Sequence, residues 1–285
     1  MFTNMRLPIV NRFTCSPKQL PKYIEFIKKK QMVPIIDNIC ENGEKHLENF
    51  KNIKTDINTY PMTTFAIKLS SLNLRNPEYC TLKIQDQAHE ICELASEMGS
   101  QVIVDAEEYA INHKINKIVD NLMEEHNQEN VTVYKTYQMY RRDTTTMLLD
   151  DLKKERNHKV GCKLVRGAYY NQDVYSNKLF WKIEDTHRSY NEAIRYFLEN
   201  SSSSDQLLCA THNYDSNDIA AKHFHQGKKN VSIGHLLGMS DYLSESLAEE
   251  GIRVYKYLPY GEYQDTLPYL SRRLYENYPI LGHLI

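Results

Sequence analysis

The chain has 285 residues, 35 basic and 37 acidic side chains and a formal net charge of −2. That length suits two average domains or one large barrel of alternating strands and helices, which needs roughly 250 residues. With 41% hydrophobic and 25% charged residues it has a globular composition, its charge balance argues against a chain that coats nucleic acid, and no apolar run reaches the roughly 20 residues of a membrane-spanning helix.

The chain reads as two parts, a basic arm over 1–30 and a larger unit over 31–285. Arg6, Arg12, Lys18 and Lys22 precede the first acid, Glu25. Such a start suits a mitochondrial targeting segment, and it suits equally an irregular arm packed on the domain. Pro8, Pro17 and Pro21 interrupt any amphipathic helix there. Beyond it, apolar runs of strand length fall at 31–38, 64–71, 101–107, 131–138, 159–168, 206–213, 229–239 and 252–260. They are nearly continuous in apolar character, as expected of parallel strands covered on both faces.

Segments of helical period lie between them. In 83–99, Ile84, Ala88, Ile91, Ala95 and Met98 recur every three or four residues, with Gly99 at the C-terminal cap. Asp143 and Thr144 are candidate N-caps of the next helix but one, and Asp215 and Ser216 of a later one. Ser240 opens a helix that closes at Gly251. The last, 265–277, carries Pro268 in its first turn. Ser201 to Ser204 form a polar surface loop. Eight strands each followed by a helix match a single closed (βα)8 barrel, an α/β fold of the TIM type. Periodicity does not show closure, and an open doubly wound sheet is the rival; the lack of a GxGxxG turn after the first strand speaks against it.

In such a barrel the active site lies at the C-terminal strand ends. Candidates are Lys68, Asp105, Lys163, Arg166, Thr211, His212, Tyr257 and Tyr260. A charge after an apolar run is hard to place unless it is paired or faces a ligand; a solvated loop just past the strand is the bland alternative. Lys68, Lys163, Arg166, Arg272 and Arg273 outnumber Asp105, Glu107 and Glu276, so the pocket suits a carboxylate or phosphate ligand. Glu276 stands one turn beyond Arg272 and Arg273 and can hold a guanidinium in place, though an exposed helix salt bridge has the same pattern. Six singly spaced cysteines read as reduced thiols, neither a disulfide framework nor a zinc site. His223 and His225, two apart on a helix, diverge and cannot readily chelate one ion; no metal is expected.

Seven ordered blocks carry a more specific signal. "IKLS" (67–70), "DAEE" (105–108), "TYQMYRRD" (136–143), "KLVRGAYY" (163–170), "ATHN" (210–213), "HLLGM" (235–239) and "YLPYG" with "YLSRRLYEN" (257–277) resemble the catalytic barrel of proline dehydrogenase. The resemblance spans roughly residues 30–280. It implies a distorted (βα)8 barrel that holds FAD non-covalently and oxidises L-proline to Δ1-pyrroline-5-carboxylate, the first step of proline catabolism. Electrons would pass to quinone or another acceptor, with peripheral membrane association. The location would be mitochondrial, on the matrix side of the inner membrane, in a eukaryotic host, and cytoplasmic otherwise.

Carried over by position, the resemblance implies that Lys68, Arg272 and Arg273 clamp the proline carboxylate, with Glu276 orienting the arginines. Tyr257, Leu236 and Tyr169 would wall the ring, and Asp105 would pair with Lys68. Lys163 would lie beside the flavin, with Asp105 one of the two catalytic groups. Ala106, Lys135, Arg166, Gly167, Ala168, Thr211 and His212 would contact FAD. The chain departs from bacterial members, which commonly show RLVKGAY where this one has KLVRGAY. Lys135 stands where Gln or Asn often meets the flavin edge, and His235 where Gln is frequent. The phenol of Tyr257 would crowd a ring hydroxyl and so favour proline over hydroxyproline. A Schiff-base lyase using Lys68 or Lys163, and a non-catalytic binding barrel, are the competing functions.

Overall fold

A computed structural model of the chain describes residues 8–39, 45–76 and 78–276. Eight parallel strands close into a barrel in chain order: β1 (Val33–Asn38), β2 (Thr64–Ile67), β3 (Gln101–Val104), β4 (Val133–Gln138), β5 (Gly161–Val165), β6 (Gln206–Ala210), β7 (Val231–Leu236) and β8 (Arg253–Tyr260). β8 bonds back to β1, with Ile35 opposite Tyr257 and Asp37 opposite Pro259. A closed ring of strands in sequence order has no point where the order reverses, which removes the doubly wound alternative. Each expected run contains its strand, trimmed at the end where the chain leaves the ladder.

Helices α3 (His46–Thr59), α4 (Thr81–Glu97), α5 (Tyr109–His126) and α6 (Arg142–Lys153) follow β1 to β4 in turn. α7 (Tyr170–Asp173) and α8 (Ile183–Asn200) follow β5, and α9 (Tyr214–His225), α10 (Asp241–Glu249) and α11 (Tyr263–Glu276) follow β6, β7 and β8. Strand residues alternate between two apolar groups. Ile36, Phe65, Ile67, Val102, Val104, Val133, Tyr137, Cys162, Leu164, Leu207, Cys209, Ile233 and Val254 face outward into the layer shared with the helices. Ile35, Ala66, Ile103, Tyr134, Leu208, Tyr255 and Tyr257 fill the interior. At its N-terminal end the interior is sealed by polar contacts, with the Tyr255 hydroxyl donating to Gln101 Oε1 at 3.0 Å and that of Tyr134 to Gln206 Oε1.

From residue 8 to β1 the chain is largely helical, not irregular. α1 (Pro8–Phe13) and α2 (Leu20–Lys29) form despite the prolines, because Pro8 and Pro21 sit in first turns where no N–H partner is needed. Leu20, Ile24 and Ile27 of α2 are buried in the core, and Cys15 bonds across to Pro259 and Gly261 beside β8. Capping also differs in places. α6 begins after Arg141, whose guanidinium binds the Asp143 carboxylate in the first turn, so Asp143 is no N-cap. α9 is capped by Asn213, whose Oδ1 accepts from the Ser216 N–H at 3.0 Å. Ser240 does open α10, but in a left-handed conformation without a side-chain cap bond. α11 starts two residues earlier than expected, which moves Pro268 into its second turn.

Candidate active site

The inward positions nearest the C-terminal strand ends carry Asp37 of β1, Lys68 after β2, Asp105 after β3, Lys163 of β5 and Tyr257 of β8. Their side chains form one buried network. Lys68 Nζ lies 2.8 Å from Asp37 Oδ1 and 3.7 Å from Asp105 Oδ2. Lys163 Nζ lies 2.7 Å from Asp105 Oδ1, and the Tyr257 hydroxyl donates to Asp105 Oδ2 at 2.7 Å. The Lys163 ammonium also sits over the Tyr257 ring, 4.7 Å from its centroid.

Burial pushes the Asp105 carboxyl up. The ammonium groups of Lys163 and Lys68, with the hydrogen bonds from Lys163 and Tyr257, more than offset this and hold it below the usual carboxylate range. Burial, then the Asp105 charge, raises the Tyr257 phenol well above its ordinary value, so it stays a donor. Lys68 was expected to pair with Asp105. It does so at 3.7 Å, and makes a shorter contact with Asp37, a residue the sequence reading missed although it ends an apolar run as Lys68 and Asp105 do.

A cavity of about 440 Å³ opens above this network. Lys68, Asp105, Ala106, Lys163, Arg166, Gly167, Ala168, Tyr169, Thr211, His212, Leu236 and Tyr257, all candidates from the sequence, line it together. A second cavity, of about 320 Å³, is lined by Ser201, Lys228, Lys229 and Arg253 and shares none of these residues. Tyr260 does not line the main cavity; its hydroxyl reaches Asp56 of α3.

Lys135 is a correction. Thr136 and Gln138 of β4 line the cavity, so Lys135, one position off that register, projects outward. Its Nζ binds Asp120 of α5 at 2.6 Å and Asp151 of α6 at 2.7 Å. It therefore ties two helices to the outside of the barrel and does not meet a ligand inside. His235 does line the cavity beside His212, but its ring nitrogens are taken by Asn217 and by Ser244 Oγ. Burial, then the neighbouring His212 and Lys256, lowers its pKa to about 3 and keeps it neutral. The side chains of Arg272, Arg273 and Glu276, near the end of α11, lie outside the described residues.

Two features of the lining point to a ligand. Gln138, 2% exposed, has its Oε1 buried with no hydrogen-bond partner among the described residues. An amide oxygen left so is costly unless a bound group donates to it. Its Nε2 is held by the Glu107 carbonyl at 3.2 Å. Arg166 is the second. Its guanidinium donates to His187 Nδ1, Thr211 Oγ1 and Ser216 Oγ, all uncharged acceptors, and among the described residues it makes no ion pair. A half-buried cation with neutral partners suits an anionic ligand such as phosphate.

The loop that carries Arg166 is shaped by Gly167, which has φ +132°. A Cβ there would stand 1.5 Å from the Tyr140 ring, so only glycine lets the backbone pass. Tyr140 is in turn fixed by its hydroxyl on Asp173 Oδ2 at 2.6 Å, and Asp173 Oδ1 accepts the Tyr109 N–H at 2.7 Å. The ends of β3, β4 and β5 are locked together in this way.

Comparison with known proteins bears on what the cavity holds. A family model described as proline dehydrogenase matches residues 24–283. The mitochondrial proline dehydrogenase 1 of Dictyostelium discoideum is 33% identical over 211 residues, 67% of this chain and 37% of that protein. The human mitochondrial proline dehydrogenase 1 is 34% identical over 199 residues, 64% of this chain and 33% of that one. A hydroxyproline dehydrogenase of Xenopus laevis is 35% identical over 198 residues, 64% of this chain and 42% of that one. The chain thus spans between 33% and 42% of the length of these relatives. Among solved structures, proline utilization A (PutA) from Corynebacterium freiburgense superposes with a TM-score of 0.82 at 18% identity, over 95% of this chain and 31% of that one. At that identity the likeness carries the fold alone.

Proposed function

The chain belongs to the proline dehydrogenase family, and from that premise we propose that it oxidises L-proline to Δ1-pyrroline-5-carboxylate with FAD, as the first step of proline catabolism. The observation that carries this reading is the convergence of Lys68, Asp105, Lys163 and Tyr257 at the floor of one cavity. FAD, when bound, supplies the acceptor for the hydride that leaves the ring carbon next to nitrogen.

The chain's own residues bind, orient and neutralise. Lys68 offers its ammonium to the substrate carboxylate, joined by Arg272 and Arg273 of α11, with Glu276 orienting that pair. Three cations fixing one carboxylate set the position of the carbon that reacts, and positioning of this kind can supply several kcal/mol of a barrier, about 7–11 in well-oriented cases. Tyr257, Leu236 and Tyr169 wall the ring, and the Tyr257 phenol, fixed by Asp105, leaves little room for a ring hydroxyl. Asp105 holds Lys68 and Lys163 in place and offsets their charge. Lys163 and Arg166 stabilise negative charge that grows on the cofactor side.

Ala106, Arg166, Gly167, Ala168, Thr211 and His212 hold the cofactor, and Gln138 takes the place at its edge that Lys135 does not reach. Gln138 Oε1 without a donor and Arg166 without an ion pair among the described residues support this fit, because one asks for a donor and the other for an anion.

Electrons then pass to quinone or another acceptor, with the protein peripheral to the membrane. Among the described residues no helix is long and apolar enough to cross a membrane. Relatives described as mitochondrial support that location if the host is eukaryotic; it is cytoplasmic otherwise. The Schiff-base reading lacks support, since Lys68 and Lys163 are both bound to carboxylates and neither stands apart from an anion as a nucleophilic amine. Reconstitution with FAD and turnover of L-proline with an artificial electron acceptor tests the proposal. Turnover lost in Lys68→Met, with FAD retained, is the expected result; full turnover in that variant overturns the role of Lys68.

A further inference from the structure

Among the described residues, one group of three metal-competent side chains brings its ligand atoms within 4.8 Å of one another: His89, Glu125 and His126. They meet on the outer surface where α4 and α5 lie side by side, and none of them lines the main cavity. His89 comes from the middle of α4, and Glu125 and His126 from the last turn of α5. His89 Nδ1 is 2.6 Å from His126 Nε2, and His89 Nε2 is 3.3 Å from Glu125 Oε2.

The contact between the two rings has one useful consequence. A hydrogen bond between ring nitrogens requires that one of them be an unprotonated acceptor, so a lone pair already points into the cluster. Two imidazole nitrogens bound to one zinc ion at about 2.0–2.1 Å stand roughly 3.3 Å apart. Opening the observed pair by a fraction of an ångström would admit such an ion, and exposed side chains can yield by that much. His89 and Glu125 are about half exposed, which leaves the site open to solvent. The environment also favours a cation. Glu125 brings a negative charge, and it and His126 lie in the last turn of α5, the end of a helix that carries partial negative charge. A pair of imidazole ligands selects a divalent transition metal over calcium or magnesium.

We propose that His89 Nδ1 and His126 Nε2 bind a divalent transition metal of the zinc type on the surface, with Glu125 on His89 Nε2 orienting that ring and water completing the coordination, which clamps α4 to α5. α4 follows the strand that leads to Lys68 and α5 follows the strand that leads to Asp105, so the clamp braces the two units that present those residues.

Titration of zinc chloride into the untagged protein, with calorimetry and thermal unfolding, tests the site. One equivalent of zinc is expected to bind and to raise the unfolding temperature. His89→Gln and Glu125→Gln are each expected to weaken binding by at least about tenfold and to abolish the thermal shift, while unfolding as the parent does without zinc. Both residues are exposed, so neither change threatens the fold. His223→Gln serves as the control and should bind zinc unchanged. Absence of zinc binding, or binding undiminished in His89→Gln and Glu125→Gln, overturns the proposal.

Discussion

The hydroxyl of Tyr257 donates to the carboxylate of Asp105 at 2.7 Å, across the barrel and 152 residues apart in the chain. Removing it with Tyr257→Phe keeps the ring that walls the cavity and leaves Asp105 short of one donor. The loss of a hydrogen bond to a charged group is worth about 1.5–3 kcal/mol, so kcat/KM for L-proline should fall by roughly tenfold to a hundredfold. Tyr257→Ser should lose proline turnover and gain turnover of hydroxyproline. Steady-state kinetics with both substrates decides; unchanged proline kinetics in Tyr257→Phe would show that this bond does not position the site.

Lys135 is expected to matter for stability and not for chemistry. Lys135→Gln removes the cation that joins Asp120 and Asp151. Both carboxylates are partly exposed, so the cost is discounted for solvent to about 1–2 kcal/mol. Thermal unfolding should show the loss, with the visible spectrum and kcat of the loaded protein unaltered. A shifted flavin spectrum would return Lys135 to the cavity.

Gly167→Ala places a methyl group inside the Tyr140 ring and forces φ +132° on a residue with a side chain. We expect destabilisation of more than about 2 kcal/mol. Tyr140→Ala alone also destabilises, by freeing Asp173. The double variant should cost less than the sum of the two, because the clash is counted only once. Urea unfolding of the four proteins measures the coupling, and strict additivity would contradict the contact.

Two buried groups give opposite pH dependences. Burial, only partly offset by Ser70 and Arg75, pushes Glu107 up to about 7 from an ordinary 4.5. Its neutral form therefore favours folding, a contribution present in full below 4.5 and lost as pH rises through about 7. Neutral His235 acts the other way. Its pKa falls from 6.5 to about 3, so its contribution is present above 6.5 and lost as pH drops toward 3. Glu107→Gln should flatten the decline in stability between pH 4.5 and 7. His235→Gln, which keeps hydrogen-bonding capacity toward Asn217 and Ser244, should move acid unfolding to lower pH. Denaturant unfolding across pH checks both signs.

The barrel was legible because parallel strands buried on both faces leave long apolar runs, and eight such runs alternating with helical period allow few folds. Closure was not legible, since it depends on β8 pairing with β1 and no local pattern records that. The strand-end rule found Lys68, Asp105, Lys163, Arg166, Thr211, His212 and Tyr257. It did not extend to Asp37, which obeys it equally. Lys135 was misassigned because its side was taken from the resemblance; counting the two-residue alternation back from Gln138 would have turned it outward. Gln138 gave no signal of its own, for an amide in a strand is notable only once its oxygen is seen to lack a donor. The N-caps of α6 and α9 were missed for a similar reason, since a polar side chain near a helix start caps it only if it binds the first-turn N–H groups, as Asn213 does and Asp143, held by Arg141, does not.

The central claim is that this cavity holds a flavin that L-proline reduces. Its most direct test is the visible absorption spectrum of the purified, FAD-reconstituted protein, recorded anaerobically before and after L-proline is added. We expect oxidised-flavin bands that bleach with proline in the parent and persist in Lys68→Met. A protein that takes up no flavin, or a bound flavin that proline leaves oxidised in the parent, would contradict it.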